Sequence, residues 1–588
     1  TTMFTSEKNK SISIKAYQGD AKTLLAFDMD KANLDQLAGF TIACKPGSNP
    51  EYYLYNKLQF AIPGDHAQNK KEPAYSSINA PIQKFRWLHV AGAFHQGDTV
   101  FYGTYKYTIT PRYFDAHGKL ELIDTKKSLE IKIPVKPFIK GRLSLGFTRG
   151  FVQSQAFENH FGNKAIMRPK GKDLLFDTNL IAGKNSDGKE FKFKDVYTWS
   201  GFTAREQIFS ILNEVMKTKS LSLDVFAYDL NEPDVMKAMI DLAKQGRIRV
   251  LLDNASLHHS TSEPEPEDLF EKAFSKAAKS PAAIQRGKFS RFQHNKVFIA
   301  KNKATALKVL TGSTNFSVTG VYVNSNHIMV FNDKKVAAKY SEIYDEAWNN
   351  KMSAAKFKKS AIADEFFPFK GAGLPDMKIS FAPHSEAFAK STLDAMVARV
   401  KKEKSSVFFA VMELDKSGGP VVPALKVLHK NSKVFTYGIS DSTTDIVLYK
   451  PTSKSGIKVT GKSSKVLLPP PFDKEAGIGL GHQVHHKFIV CGFNTADAVV
   501  WGGSSNLALL GEQQNGDNLL EIHDRDIATV FALEGLALVD HFHFRNANQQ
   551  KTKTIKVKKP LHLYESNKWS LSYYDPGDLH FVDRMLFK

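Results

Sequence analysis

Two short histidine motifs set 191 residues apart share the same downstream spacing, and this duplication constrains the chain more than any other feature. The first reads His294-Asn295-Lys296, Gly312-Ser313-Thr314-Asn315 and Asn324-Ser325-Asn326. The second reads His485-His486-Lys487, Gly503-Ser504-Ser505-Asn506 and Asn515-Gly516-Asp517. Counted from each histidine, Lys stands at +2, Ser at +19, Asn at +21, Asn at +30, and Asn326 or Asp517 at +32. Polar positions held in register over such a distance mark an internal repeat rather than chance. The chain must therefore fold one supersecondary unit twice, and a site built from the repeat is built from two halves.

The spacing has a local meaning. His and Lys at i and i+2 share one face of a strand; KVFIA or KFIVC continues it, and VLTGS or VVWGGS is the neighbouring strand, ending in a turn that Gly permits. Upstream of each motif a helix and a strand alternate. The first half shows a helix over 204–217, a strand over 221–228, a helix over 233–245 closed by Gly246, and a strand over 247–253. The second shows a helix over 386–401, a strand over 406–413, a helix over 421–429 and a strand over 433–437. This alternation predicts parallel sheets with right-handed crossovers. Each half then carries an excursion, 254–286 and 440–481, the latter with the Pro469 to Pro471 run. Excursions this long in compact domains suggest functional loops or lids.

From Ser11 to Val152 the pattern is one of short alternating or β-branched runs such as SISIKAY, TVFYGTYKYTI, KLELIDT, SLEIKIPV and RLSLGFT, with no competing long helix. The expected fold class is α/β: an N-terminal all-β, sandwich-like domain over 1–165, then two α-β-α lobes with pseudo-twofold symmetry over 166–375 and 376–588. The second lobe is expected to carry the C-terminal basic and aromatic extension, with five lysines in KTKTIKVKKP followed by Trp569, Tyr573 and Tyr574.

Two halves facing each other present two imidazoles, two ammonium groups, hydroxyls and amides. That inventory suits a phosphodiester: Lys296, Lys487, Ser313, Ser504, Asn315 and Asn506 can hold non-bridging oxygens, one histidine can attack phosphorus, and the other can protonate the leaving oxygen. The pattern resembles the phospholipase D superfamily, whose signature is H-x-K, four residues, D, then G-G or G-S and N. The resemblance covers 203–331 and 386–526. The Asp expected seven residues after each histidine is Lys301 in one half and Gly492 in the other; the tyrosyl-DNA phosphodiesterase branch lacks it too. The resemblance implies that His294 forms a covalent phosphohistidine and that His485 serves as general acid and then base. It also implies that the +32 residues support the histidine of the opposite half, so that Asp517 steadies the imidazolium of His294 while Asn326 stands by His485. It implies no metal or organic cofactor.

Charge narrows the partner. Lys and Arg number 81 against 60 Asp and Glu, a formal net charge of +21. The expected partner is nucleic acid, making the chain a nuclease, with Arg286, Lys288 and Arg291 guiding the backbone toward His294. The rival is an anionic phospholipid cut by a phospholipase D, and a third reading is a noncatalytic phosphate-binding scaffold. An apolar rim would favour lipid and a long basic groove a nucleic acid strand. No run reaches the roughly 20 apolar residues that span a bilayer. Two cysteines, Cys44 and Cys491, exclude a disulfide framework and a thiolate zinc cluster. The expected location is cytoplasmic, or secreted or periplasmic if a leader preceded Thr1. Both motifs in one chain predict a monomer.

Other groups read more plainly. His258-His259 looks metal-like but lacks a third well-spaced ligand, and so reads as a loop pair near the cleft. His486 points away from the His485 face and packs, whereas His482 can line the entrance. Tyr228, Asp229, Glu413 and Asp415 follow strands whose ends approach the pocket, as substrate-selecting or turn residues. Phe289 and Phe292 read as packing before stacking, and the lysines of 551–559 as a solvated segment.

Overall fold

A computed structural model describes residues 3–97, 99–171, 173–412, 414, 420–428, 430–431, 433–440, 446–448, 457–459, 484–549 and 561–588. The 551–559 lysine run, Pro469 to Pro471, His482, Glu413 and Asp415 lie outside these residues.

The N-terminal region is a sandwich of two four-stranded antiparallel sheets. One orders Phe4–Lys8, Ser13–Gln18, Lys22–Asp28 and Arg86–Val90; the other orders Tyr52–Tyr53, Leu37–Pro46, Gly103–Tyr113 and Leu129–Val135. Their facing side chains, among them Ile14, Leu25, Phe27, Ile42, Tyr107 and Ile131, form one apolar core. KLELIDT forms no strand there and contributes only the isolated bridge of Leu120 to Phe114.

Each half of the repeat builds a mixed sheet. In the first the order is Ala283–Gly287, Ile248–Asp253, Leu221–Ala227, Val297–Asn302, Thr305–Gly312, His327–Phe331, Leu143–Phe147 and Ile139–Lys140. In the second it is Phe435–Ser440, Ser406–Val411, Lys487–Cys491, Val499–Gly503, Asp517–His523, Leu374–Ala382 and Phe367–Gly371. The wholly parallel sheet expected from the βαβ alternation is corrected here. Parallel pairing is confined to the strands joined through helices, whereas the motif strands and those beyond pair antiparallel.

Two boundaries also move. Leu143–Phe147, read from sequence as the last strand of the sandwich, pairs with His327–Phe331 and is the counterpart of Leu374–Ala382 in the other lobe. The repeat unit thus opens near Ile139 rather than at 166, because its first strand precedes its helices. At the C-terminus the aromatic segment leaves the second lobe for the sandwich. Trp569 stacks on Phe85 at 5.4 Å and donates Nε1–H to the Leu37 carbonyl at 2.9 Å. Its burial there removes the apolar surface that a free extension would expose to water.

The first excursion is likewise part of the fold. It contributes helix Pro266–Ala277 and the edge strand Ala283–Gly287, which extends the parallel set. The sandwich is tied to the first lobe by Asp20, a fully buried carboxylate that accepts from Phe138 N at 2.7 Å and Thr203 Oγ1 at 2.5 Å.

Candidate active site

The two motifs meet across the lobe boundary through reciprocal backbone bridges. Gln293 pairs with Gly516, and Val484 pairs with Ser325, so the residue before each histidine meets the residue before the +32 position of the other half. His294 N donates to Gly516 O at 2.8 Å and His485 N to Ser325 O at 3.1 Å. Each histidine is thereby fixed against the opposite lobe before any side chain is considered.

Side-chain bonds repeat this symmetry. His294 Nδ1 lies 2.8 Å from Asp517 Oδ1, which also accepts from Ser504 Oγ at 2.7 Å. His485 Nδ1 lies 2.8 Å from Asn326 Oδ1, which also accepts from Ser313 Oγ at 2.8 Å. Asn326 Nδ2 donates to Gly320 O at 2.8 Å, which fixes the amide with its oxygen toward His485. Since a carboxylate and an amide oxygen are acceptors, both rings carry their proton on Nδ1 and turn Nε2 to the pocket. Ser313 and Ser504 thus orient the +32 groups, whereas the sequence reading gives them to substrate.

Lys296 and Lys487 each donate Nζ–H to the carbonyl of their own motif histidine, at 2.5 and 2.8 Å. Both lie within the electrostatic reach of His294. Gly312 and Gly503 turn the chain toward the serines at φ +144° and +124°, where a Cβ would press on His327 O at 2.3 Å and Asn518 O at 2.5 Å. Only glycine fits that approach. Asn315 and Asn506 follow two residues beyond the serines, and neither Oδ1 has a hydrogen-bond partner among the described residues.

Burial sets the protonation. The His294 pKa is lowered to about 4 by burial and then by Lys296, against the opposing pull of Asp517. The Lys296 ammonium is weakened to about 7, again chiefly by burial, with Asp517 opposing. At neutral pH His294 is therefore a neutral imidazole with a free Nε2 lone pair. In the resting site the Asp517 carboxylate fixes the tautomer of His294, and desolvation outweighs its charge.

Other expectations fall unevenly. Arg286 turns inward: its side chain is 9% exposed, and it bonds Asp268, Glu271 and the carbonyls of Asp253 and His258. It is not available to a phosphate backbone, and charge alone could not reveal that. Lys288 and Arg291 are exposed, and the Arg291 guanidinium sits 4.8 Å over the half-buried Phe292 ring. Phe289 is buried against Phe357. Tyr228 stands edge-on to His294 at 4.8 Å and to His258 at 4.3 Å, and forms a wall of the pocket. Lys301, at the far end of its strand, bonds Asp224 at 3.2 Å and lies outside the network around His294.

Two elements were missed. Asp253 Oδ1 accepts from Gln293 N at 2.7 Å and anchors the backbone just before His294. At +1 and +33, His486 meets His327 where Asn295 meets Asn518 on the other side of the site. The matched exchange of residue type at those two offsets was the available signal.

A family profile described as "Cardiolipin synthase, PLD-like domain" matches residues 211–348. The chain is similar to mitochondrial cardiolipin hydrolases of Chlamydomonas reinhardtii and Xenopus tropicalis. It is 22% identical to the first over 129 residues, which is 22% of this chain and 52% of the relative. It is 25% identical to the second over 153 residues, 26% of this chain and 61% of the relative. The match thus spans between half and two thirds of those relatives. Among solved structures it is similar to Nuc, a phospholipase D family member from Salmonella typhimurium, at 23% identity over 25% of this chain and 88% of that one, with a TM-score of 0.21.

Proposed function

We propose that this chain, which carries a phospholipase D-like domain, is a phosphodiesterase that works through a phosphohistidine. His294 Nε2 attacks phosphorus, the bond to the leaving oxygen breaks, and that oxygen takes a proton from protonated His485 at Nε2. His485 then removes a proton from water, the resulting hydroxide attacks the phosphohistidine, and His294 is released neutral. Lys296, Lys487, Asn315 and Asn506 hold the non-bridging oxygens as charge gathers on them.

The observation that carries this reading is the asymmetry of the cross-lobe bonds: carboxylate Asp517 on His294, amide Asn326 on His485, each at 2.8 Å. Once phosphorylated, His294 is cationic and is steadied by a carboxylate. His485 rests on neutral oxygens, which favours its giving up a proton. The phosphoenzyme is tested by mixing labelled substrate with His485→Ala and His294→Ala: label held by the first variant and not the second supports it, and the reverse overturns it.

Nucleic acid is the leading substrate, on the +21 charge and on exposed Lys288 and Arg291 beside Phe292. The second reading, an anionic phospholipid, is favoured by Leu257, an apolar side chain 65% exposed one residue before His258. Single-stranded DNA, duplex DNA, RNA and vesicles of phosphatidylcholine or cardiolipin, each with His294→Ala as control, separate the two. Nucleotide release lost in the variant supports the first; headgroup or phosphatidate release alone replaces it with the second.

A further inference from the structure

Outside the phosphate pocket, on the far side of Tyr228, a second set of polar groups converges. One ligand atom each from Asp229, His258 and Glu267 lies within 4.8 Å of the others. They come from the turn after strand Leu221–Ala227, from the excursion, and from the first turn of helix Pro266–Ala277. Glu267 is 1% exposed and His258 5%.

The hydrogen bonds around them leave donor atoms unused. Asp253, fully buried and not one of the three, holds His258 Nδ1 at 2.8 Å and Ala255 N at 2.9 Å with the same oxygen. A carboxylate at Nδ1 places the ring proton there, so Nε2 carries an unshared lone pair, and that nitrogen has no hydrogen-bond partner among the described residues. This is the arrangement that orients and strengthens a metal-binding imidazole. Glu267 Oε1 accepts from Leu230 N at 2.8 Å, and no hydrogen bond to the Asp229 carboxylate is seen among the described residues. The neighbouring cation, Arg286, is committed to Asp268, Glu271 and two carbonyls.

We propose that Asp229, His258 and Glu267 bind a first-row divalent cation of the Zn2+ or Mn2+ kind. One imidazole and two carboxylates suit these ions, whereas Mg2+ and Ca2+ favour oxygen-only shells. The ion fastens the excursion to the strand end that carries Tyr228. The Tyr228 ring packs edge-on against both His258, at 4.3 Å, and His294, at 4.8 Å. The inference is independent of the hydrolytic reading.

The test uses the full chain, stripped with chelator and desalted, then titrated calorimetrically with Zn2+ alone and Mn2+ alone and assayed for bound metal. One cation per chain is expected for the wild type and for His294→Ala, which discounts binding in the phosphate pocket. Affinity should fall about 100-fold in Glu267→Gln and in Asp229→Asn, whichever of the two folds with an unchanged circular dichroism spectrum. The cation should raise the melting temperature of the wild type and leave that of the variants in place. No saturable binding of either ion to the wild type, or undiminished binding in the folded variants, would overturn the site.

Discussion

His327 and His486 meet across the lobe boundary with their Nδ1 atoms 3.1 Å apart and their rings 6° from parallel. Gly503 N–H points at His327 Nε2 at 3.3 Å, which makes Nε2 the acceptor and places the proton on Nδ1, where it faces both His486 Nδ1 and Ser313 Oγ, the latter at 3.2 Å. Both imidazoles are held neutral, His327 down to about 3 and His486 well below its ordinary value, burial being the main cause in each. The counterpart on the other side of the site is Asn518 donating to Asn295 at 2.9 Å. At these two offsets the lobes meet through one imidazole pair and one amide pair.

Breaking the imidazole pair removes one partner from each buried ring and leaves His327 Nδ1 only Ser313 Oγ, at 3.2 Å, while changing both to asparagine allows the amide pairing used opposite. In a double-mutant cycle of His327→Asn and His486→Asn, denaturant unfolding should show favourable coupling of about 0.5–3 kcal/mol in the double variant. Strict additivity would mean that the 3.1 Å contact contributes nothing.

Asp517→Asn makes the two halves alike. It removes the group that pulls the His294 pKa upward and weakens the control of its tautomer, so turnover should fall by about 10²- to 10⁴-fold while substrate affinity changes little. An unchanged rate in single-turnover measurements would place Asp517 outside the nucleophile's support.

Activity should be bell-shaped in pH. His294 must be neutral to attack, so the acid limb of kcat/KM should fall near 4; Lys296 must be charged to hold phosphate, so the alkaline limb should fall near 7. In Lys296→Met the part of the alkaline limb set by Lys296 should vanish, while the part set by His485, which must be protonated to donate, should remain. The same shift bears on stability. Folded His294 resists protonation that the unfolded chain accepts, so stability is lost as pH drops from about 6.5 through about 4, by about 3 kcal/mol from this group. Stability that rises over that window would contradict the assignment.

The repeat was legible because it is local: each motif strand and its hairpin neighbour are contiguous in sequence, so offsets of +2, +19 and +32 carry their geometry. Bonds between lobes left fainter marks, such as the Asp517 against Asn326 exchange and the paired exchange at +1 and +33. Arg286 was misread because composition gives a charge but no direction, and its partners Asp268 and Glu271 lie a helix away. The three-residue set of Asp229, His258 and Glu267 was hidden for the same reason, with no ligand spacing in sequence to find. Trp569 joins a core built from residues as far back as Ile12, which no local pattern foretells.

That last contact is itself testable. Trp569, 7% exposed, packs on Phe40, Phe85 and Tyr573, so Trp569→Ala should destabilise the sandwich by about 3–5 kcal/mol. Hydrogen exchange should locate the loss in strands Leu37–Pro46 and Arg86–Val90. Loss confined to the second lobe would return the aromatic segment to that lobe.

The most direct measurement of the central claim is the site of covalent label after acid-free quench, read by mass spectrometry on His485→Ala given a phosphodiester substrate. A phosphorylated His294 should accumulate in His485→Ala and should not form in His294→Ala. Label on another residue, or no label in either variant while the wild type turns substrate over, would contradict it.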